Sequence, residues 1–183
     1  MTVLILILVV VAFLILLAIY GSNSIVHAKV RVDAAWAQID VQLQRRMDLI
    51  GNLVETVKGY ATHEKSTLEA VINARAKALS SSTPATSAAN QEALTQALGK
   101  LLMLKEAYPE LKANTNFLSL QEELANTEGR VAYSRNYYNE SVQLYNSRIA
   151  TFPWSIFAGS KGATPREFFV SDSASRVAPK VQF

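Results

Sequence analysis

The opening run "MTVLILILVVVAFLILLAIY" carries no charged side chain, and Val3 to Tyr20 is unbroken apolar sequence. At about 1.5 Å per residue, such a run crosses most of a hydrocarbon core of roughly 30 Å. A cleaved signal peptide would need a basic n-region and a shorter apolar stretch of about 7–15 residues. Here no Lys or Arg precedes Lys29, and Val26-His27-Ala28 is a weak match to a cleavage site. The expectation is a retained transmembrane anchor over residues 1–21, with Tyr20 at headgroup level. Lys29 and Arg31 follow the span while nothing basic precedes it. Flanking charge therefore favours an outside N-terminus and a cytoplasmic domain. The margin is two charges, and the opposite orientation stays open.

Everything after the anchor reads as all-α. From Ser22 to Ala61 the apolar positions Val32, Trp36, Ile39, Leu43, Met47, Ile50, Val54, Val57 and Ala61 recur every three or four residues, the seam of a core-facing helix. Gly51 interrupts it and is the natural place for a bend. A second helix fits about 64–79 and a third about 91–107, separated by a Ser/Thr/Pro/Ala loop over 80–90. Pro109 stops the third helix. A fourth fits about 117–150, with Ser119 and Glu122 as a capping box at its start. Gly99 and Gly129 fall inside helices 3 and 4, where they suggest close helix packing.

Short loops favour an up-down four-helix bundle over residues 22–150, with long helices 1 and 4 and short helices 2 and 3. The short helices would cover only the distal half of helix 1. The rest of helices 1 and 4 would form an antiparallel pair, with Trp36 opposite Val142 and Ala150 opposite Ala28. Two helices alone bury their apolar faces poorly, which motivates an expectation of self-association. Residues 151–170 follow as an apolar, aromatic, membrane-proximal segment. Phe152, Trp154 and Phe157 join Tyr20 as candidate membrane-interface residues; a hydrophobic plug on the bundle base is the alternative. Residues 171–183 read as a flexible tail.

The stretch "AWAQIDVQLQRRMDLIGNLVETVKGYATHEKSTLEAVINARAKA" resembles the signature of the LemA family. "NFLSLQEELANTEGRVAYSRNYYNESVQLYNSRIATFP" and the later "FAG" resemble its second block. The resemblance covers roughly residues 20 to 170 and is specific in order and spacing. It implies a bacterial-type membrane protein with one N-terminal span and a four-helix-bundle domain, and it carries no enzymatic activity across. One departure is Gly51, where members of the family usually show Pro.

The residues offer little chemistry. The chain has no cysteine, so disulfides, thiolate metal sites and a cysteine nucleophile are excluded. "HEKST" lacks the second His of a zinc-binding HExxH, and no Glu-x-x-His pair supports a carboxylate-bridged metal site. His63 follows Lys58 and Gly59, the reverse of the order that a phosphotransfer histidine needs for access to its ring. There is no G-x-S-x-G and no glycine-rich phosphate loop. A net charge of +3 is too small to argue for nucleic acid. No cofactor or metal is expected, and an enzyme or histidine phosphotransfer module is a distant alternative.

Two polar constellations remain. In "RRMDLIGNLV", Arg45 sits on the solvent side and can pair with Asp48 across one turn. Arg46 borders the seam and can lay its stem on the core while reaching Glu128 on helix 4. Arg45, Arg46, Asp48 and Glu128 thus form a candidate polar clamp between helices, with a partner-binding surface as the alternative. On helix 4, Tyr133, Tyr137, Tyr138 and Tyr145 cluster, and Tyr138-Asn139 recurs as Tyr145-Asn146. These are either a packed seam bonding across to helix 1 or a subunit or partner interface. The expected function is a non-enzymatic, membrane-anchored structural or scaffolding protein that self-associates in the lipid bilayer. The alternative is a regulatory adaptor for another membrane protein, such as a protease or sensor complex.

Overall fold

The computed structural model describes residues 1–81, 83–159 and 162–170. The tail expected over 171–183 lies outside the described residues. Helices run in the order α1 (Thr2–Lys58), α2 (Lys65–Leu79), α3 (Pro84–Met103), α4 (Pro109–Lys112), α5 (Thr115–Ala150) and α6 (Ser155–Ala158), with a 3-10 turn at Leu104–Glu106. No strand occurs among the described residues. Two units emerge from the contacts: Met1–Gln38 with Asn136–Glu167, and Ile39–Arg135 with Phe168–Phe183.

In the first unit, anchor and first domain helix are one helix, so no helix boundary falls at Ser22. The sequence explains this: between Tyr20 and Lys29 there is no proline, and the single Gly21 costs only about 1 kcal/mol of helix propensity. The apolar window has a mean hydropathy of 3.5, and none of it is buried. Further on, Ile25, Ala28, Val32 and Ala35 are buried. On α5, Tyr138, Val142, Tyr145 and Ile149 are buried at the same three-to-four spacing. The Trp36 ring meets Tyr138 edge-on at 5.4 Å. Tyr138 lies one helical turn from the Val142 expected there.

The second unit holds one continuous core. Met47, Ile50, Leu53 and Val57 come from α1, Leu68 and Val71 from α2, Leu94, Leu98 and Leu101 from α3, Leu111 from α4, and Phe117 and Leu124 from α5. The loop expected over 80–90 is mostly helix. The Thr83 hydroxyl accepts from the Thr86 amide at 3.2 Å, and the Thr86 hydroxyl accepts from the Thr83 amide at 3.2 Å. Pro84 occupies the first helical position. Ser, Thr and Pro here begin a helix instead of interrupting one.

The capping box expected at Ser119 and Glu122 is likewise corrected. α5 begins at Thr115, where Asn114 Oδ1 accepts from the Phe117 amide at 2.9 Å, and Ser119 lies inside the helix. α1 passes through Gly51 without ending. Arg75 lies across Gly51, its Nε donating to the Met47 carbonyl at 2.8 Å. Gly99 and Gly129 do not mark close packing: a Cβ at either would meet nothing within 4 Å.

Candidate functional site

Arg46 is the most deeply buried charged residue described in the second unit, at 3% exposure. It borders the seam residues Met47 and Ile50, so a helix that buries the seam draws its stem inward as well. Its Nη1 donates to Gln91 Oε1 at 2.7 Å, and its Nη2 donates to Thr95 Oγ1 at 2.9 Å. The same Nη2 pairs with Glu128 Oε2 at 2.8 Å. One guanidinium on α1 therefore ties together α3 and α5. Burial pushes the Arg46 guanidinium below its ordinary value, while Glu128 and Glu92 hold it up.

The remaining members of the expected clamp distribute differently. Arg45 pairs with Glu123 at 2.8 Å instead of with Asp48, both partners being about half exposed. Asp48 accepts from Gln44 Nε2 at 3.0 Å. Beside the Arg46 group, Arg135 stacks on the Phe169 ring at 4.6 Å. Burial pushes Arg135 down too, opposed by Glu128 and Glu92 and reinforced by Arg46. Gln91, Glu92, Thr95, Glu128, Arg135 and Phe169 line a polar cavity of about 110 Å³. Gln91, Thr95 and Phe169 were not singled out in the sequence. With helix 3 expected to start at Gln91, its first turn carried no packing argument.

The four tyrosines do not share one environment: Tyr137, Tyr138 and Tyr145 belong to the first unit and Tyr133 to the second. Tyr138 and Tyr145 are buried, while Tyr133 is 72% exposed. Tyr137 lies under the Arg31 guanidinium at 5.3 Å. The Tyr138 hydroxyl and the Asn146 amide bond to the segment after α6. The hydroxyl donates to the Glu167 carbonyl at 2.9 Å. Asn146 Nδ2 donates to the Arg166 carbonyl at 2.9 Å, and its Oδ1 accepts from the Arg166 amide at 2.8 Å. Arg166 also pairs with Asp33 at 2.8 Å. Asn146 thus reads both backbone groups of one residue, as a neighbouring strand would, and pins the segment after α6.

At the end of the apolar span, Tyr20 meets Trp154 at 5.5 Å between ring centroids. A Cβ on Gly21 would lie 2.5 Å from Phe157 Cδ2 and 3.0 Å from Trp154 Cε3. Only glycine lets α6 approach this closely. Trp154 and Phe157 therefore pack on the helix, whereas Phe152 is 80% exposed.

Among the described residues, no group of three or more His, Asp or Glu could hold a metal ion. His63 is exposed in the turn between α1 and α2. The Arg46 group brings a guanidinium, an amide, a hydroxyl and a carboxylate from three helices into one hydrogen-bonded set, an arrangement that can fix helix register and specify which helices meet.

Residues 35–183 match the family model described as LemA family. The chain is 27% identical to magnetosome protein MamQ 2 of Paramagnetospirillum magneticum over 173 residues, 80% of this chain and 64% of that protein. It is 26% identical to magnetosome protein MamQ of Magnetospirillum gryphiswaldense with the same coverage. It is 24% identical to protein LemA of Metamycoplasma hominis over 140 residues, 76% of this chain and 64% of that protein. The chain thus spans 64% of the length of these relatives. None of their names carries an enzymatic activity.

Proposed function

The chain belongs to the LemA family, and from that premise we propose that it is a single-pass membrane protein whose helical domain acts by assembling with further copies of itself. Likeness to MamQ and LemA proteins points to a membrane-associated helical protein, and the apolar start of α1 fits an anchor. The domain is read as a four-helix bundle of long α1 and α5 with shorter α2 and α3. Their shared core supports that arrangement.

The observation that carries self-association is a stripe on α1. Val26, Val30, Ala34 and Val41 fall on one helical face by spacing, and all four are exposed. Val30 is 58% and Val41 63% exposed. Their helix turns its opposite face, through Ile25, Ala28, Val32, Ala35 and Ile39, into the interior. A second copy supplies matching apolar surface, because a two-fold interface pairs a patch with itself. The Arg46 group serves as a register lock within the second unit.

The chain's lack of cysteine permits a direct test. Val30→Cys in the full-length protein, oxidised in membranes, should form a disulfide dimer on non-reducing gels. Glu110→Cys, exposed on α4, should not. Equal crosslinking at both positions, or none at Val30, refutes the stripe as the interface. Crosslinking of Val30→Cys only to a different protein would favour the adaptor reading.

A further inference from the structure

The first unit carries one sign of charge where it leaves the apolar span. No Asp or Glu occurs from residue 1 to 32 or from 141 to 166. Lys29, Arg31, Arg148 and Arg166 are its described basic side chains, and Arg166 is engaged by Asp33 at 2.8 Å. Arg148 is held in position differently: its Nη1 donates to the Ser24 carbonyl at 3.1 Å. No carboxylate pairs with it among the described residues.

Depth along the helix decides what Arg148 faces. Ser24 lies four residues beyond Tyr20, about 6 Å along the axis. The polar region outside the hydrocarbon core is about 5–8 Å deep on each side, so the Arg148 guanidinium stands at headgroup depth. Lys29 follows about 14 Å beyond Tyr20, within roughly one Debye length of the headgroups. The apolar half is close by in the chain. Phe152 is 80% and Ile156 63% exposed, although Trp154 and Phe157 between and beside them pack on Tyr20 and Gly21. Large apolar side chains next to cations without counter-charge match a surface that is apolar below and negative above.

We propose that this end of the unit is a binding site for anionic lipid headgroups. Arg148 is the direct phosphate contact, through charge-assisted hydrogen bonds from its remaining N–H groups. Phe152 and Ile156 insert among the acyl chains, and Lys29 and Arg31 add attraction at longer range. The proposal rests on the single-pass reading and adds a lipid class to it.

The test uses the full-length chain in nanodiscs of equal phosphatidylglycerol and phosphatidylcholine, with retained lipids counted by native mass spectrometry. The parent should retain phosphatidylglycerol over phosphatidylcholine on the order of fivefold, as one basic contact at the surface implies. Arg148→Gln should bring the ratio down to about two, the share left to Lys29 and Arg31, and Arg148→Lys should keep most of the preference. Phe152→Ser with Ile156→Ser should lower total lipid retained without changing the ratio. Circular dichroism reports folding; if Arg148→Gln loses helix, Lys29→Gln is read in its place and should lower the ratio about twofold. A parent ratio of one, or an unchanged ratio in the folded Arg148→Gln protein, overturns the headgroup site and leaves the span standing. Failure of the chain to stay in the disc would instead overturn the span.

Discussion

Arg46→Ala should lower the stability of the helical domain by about 3 kcal/mol. The variant leaves the Gln91 amide oxygen without its 2.7 Å donor, in a side chain only 2% exposed and whose Nε2 already lacks a partner. One buried orphan of this kind costs about 1–3 kcal/mol. The Glu128 side chain is 48% exposed, so its carboxylate can turn to water at little cost. The lost stem removes the two methylenes Cγ and Cδ, worth about 0.8 kcal/mol each. Against these stands the desolvation of the charge, the leading cause that pushes the Arg46 guanidinium down. The net sits near the lower end of the roughly 3–5 kcal/mol seen when one partner of a buried ion pair is removed. For a helical domain of roughly 150 residues, it corresponds to a Tm lower by about 6–12 °C. Thermal unfolding of the full chain in detergent, followed by circular dichroism, reads it. Arg46→Met keeps an apolar stem and should recover about half of the loss. A melting temperature within 2 °C of the parent for Arg46→Ala, on the same scale, would refute the lock.

Other consequences follow from single positions. Gly99→Ala and Gly129→Ala should each raise stability by about 1 kcal/mol, because a Cβ there meets nothing within 4 Å. Gly21→Ala should lower it and shift Trp154 fluorescence, because its Cβ would lie 2.5 Å from Phe157; thermal melts of the three variants compare the signs. Asn146→Ala should free the segment around Arg166, read as faster amide exchange over 163–167 with the α5 amides unchanged. Asp40 lies on the exposed side of α1, and partial burial pushes its carboxyl up, so its ionised form is slightly disfavoured in the folded state. It costs stability at neutral pH, and the cost fades as pH falls through the raised value and is gone below the ordinary one. Asp40→Asn should therefore melt higher than the parent at pH 7, and the difference should close under acid; a constant difference would contradict the burial argument.

The seam of α1 was legible because burial follows helical spacing: Val32, Ile39, Met47, Ile50, Val54 and Val57 are buried. The same stripe pointed to Arg46 and, through antiparallel pairing, to Glu128. It could not supply Gln91 and Thr95, whose helix was expected to start too late. Thr83, Pro84 and Thr86 look like a loop by composition and like a helix start by position, and only position decides. The segment at 163–170 has no periodicity to read. It is held through the backbone of Arg166 and Glu167, groups that every sequence offers. The only sequence signal lies on the other side, in a buried Tyr138 and an Asn146 that need partners. Register moved by one turn because α1 ends at Lys58 and α5 starts at Thr115, each a few residues before the expected ends at 61 and 117 that set the pairing.

Self-association of the anchored domain is tested most directly by sedimentation equilibrium of the full-length protein in density-matched detergent. The account predicts a protein mass that is a multiple of the 20.1 kDa chain, with Val30→Asp shifted toward the single-chain mass. A parent that sediments as one 20.1 kDa chain across the whole concentration range would contradict it.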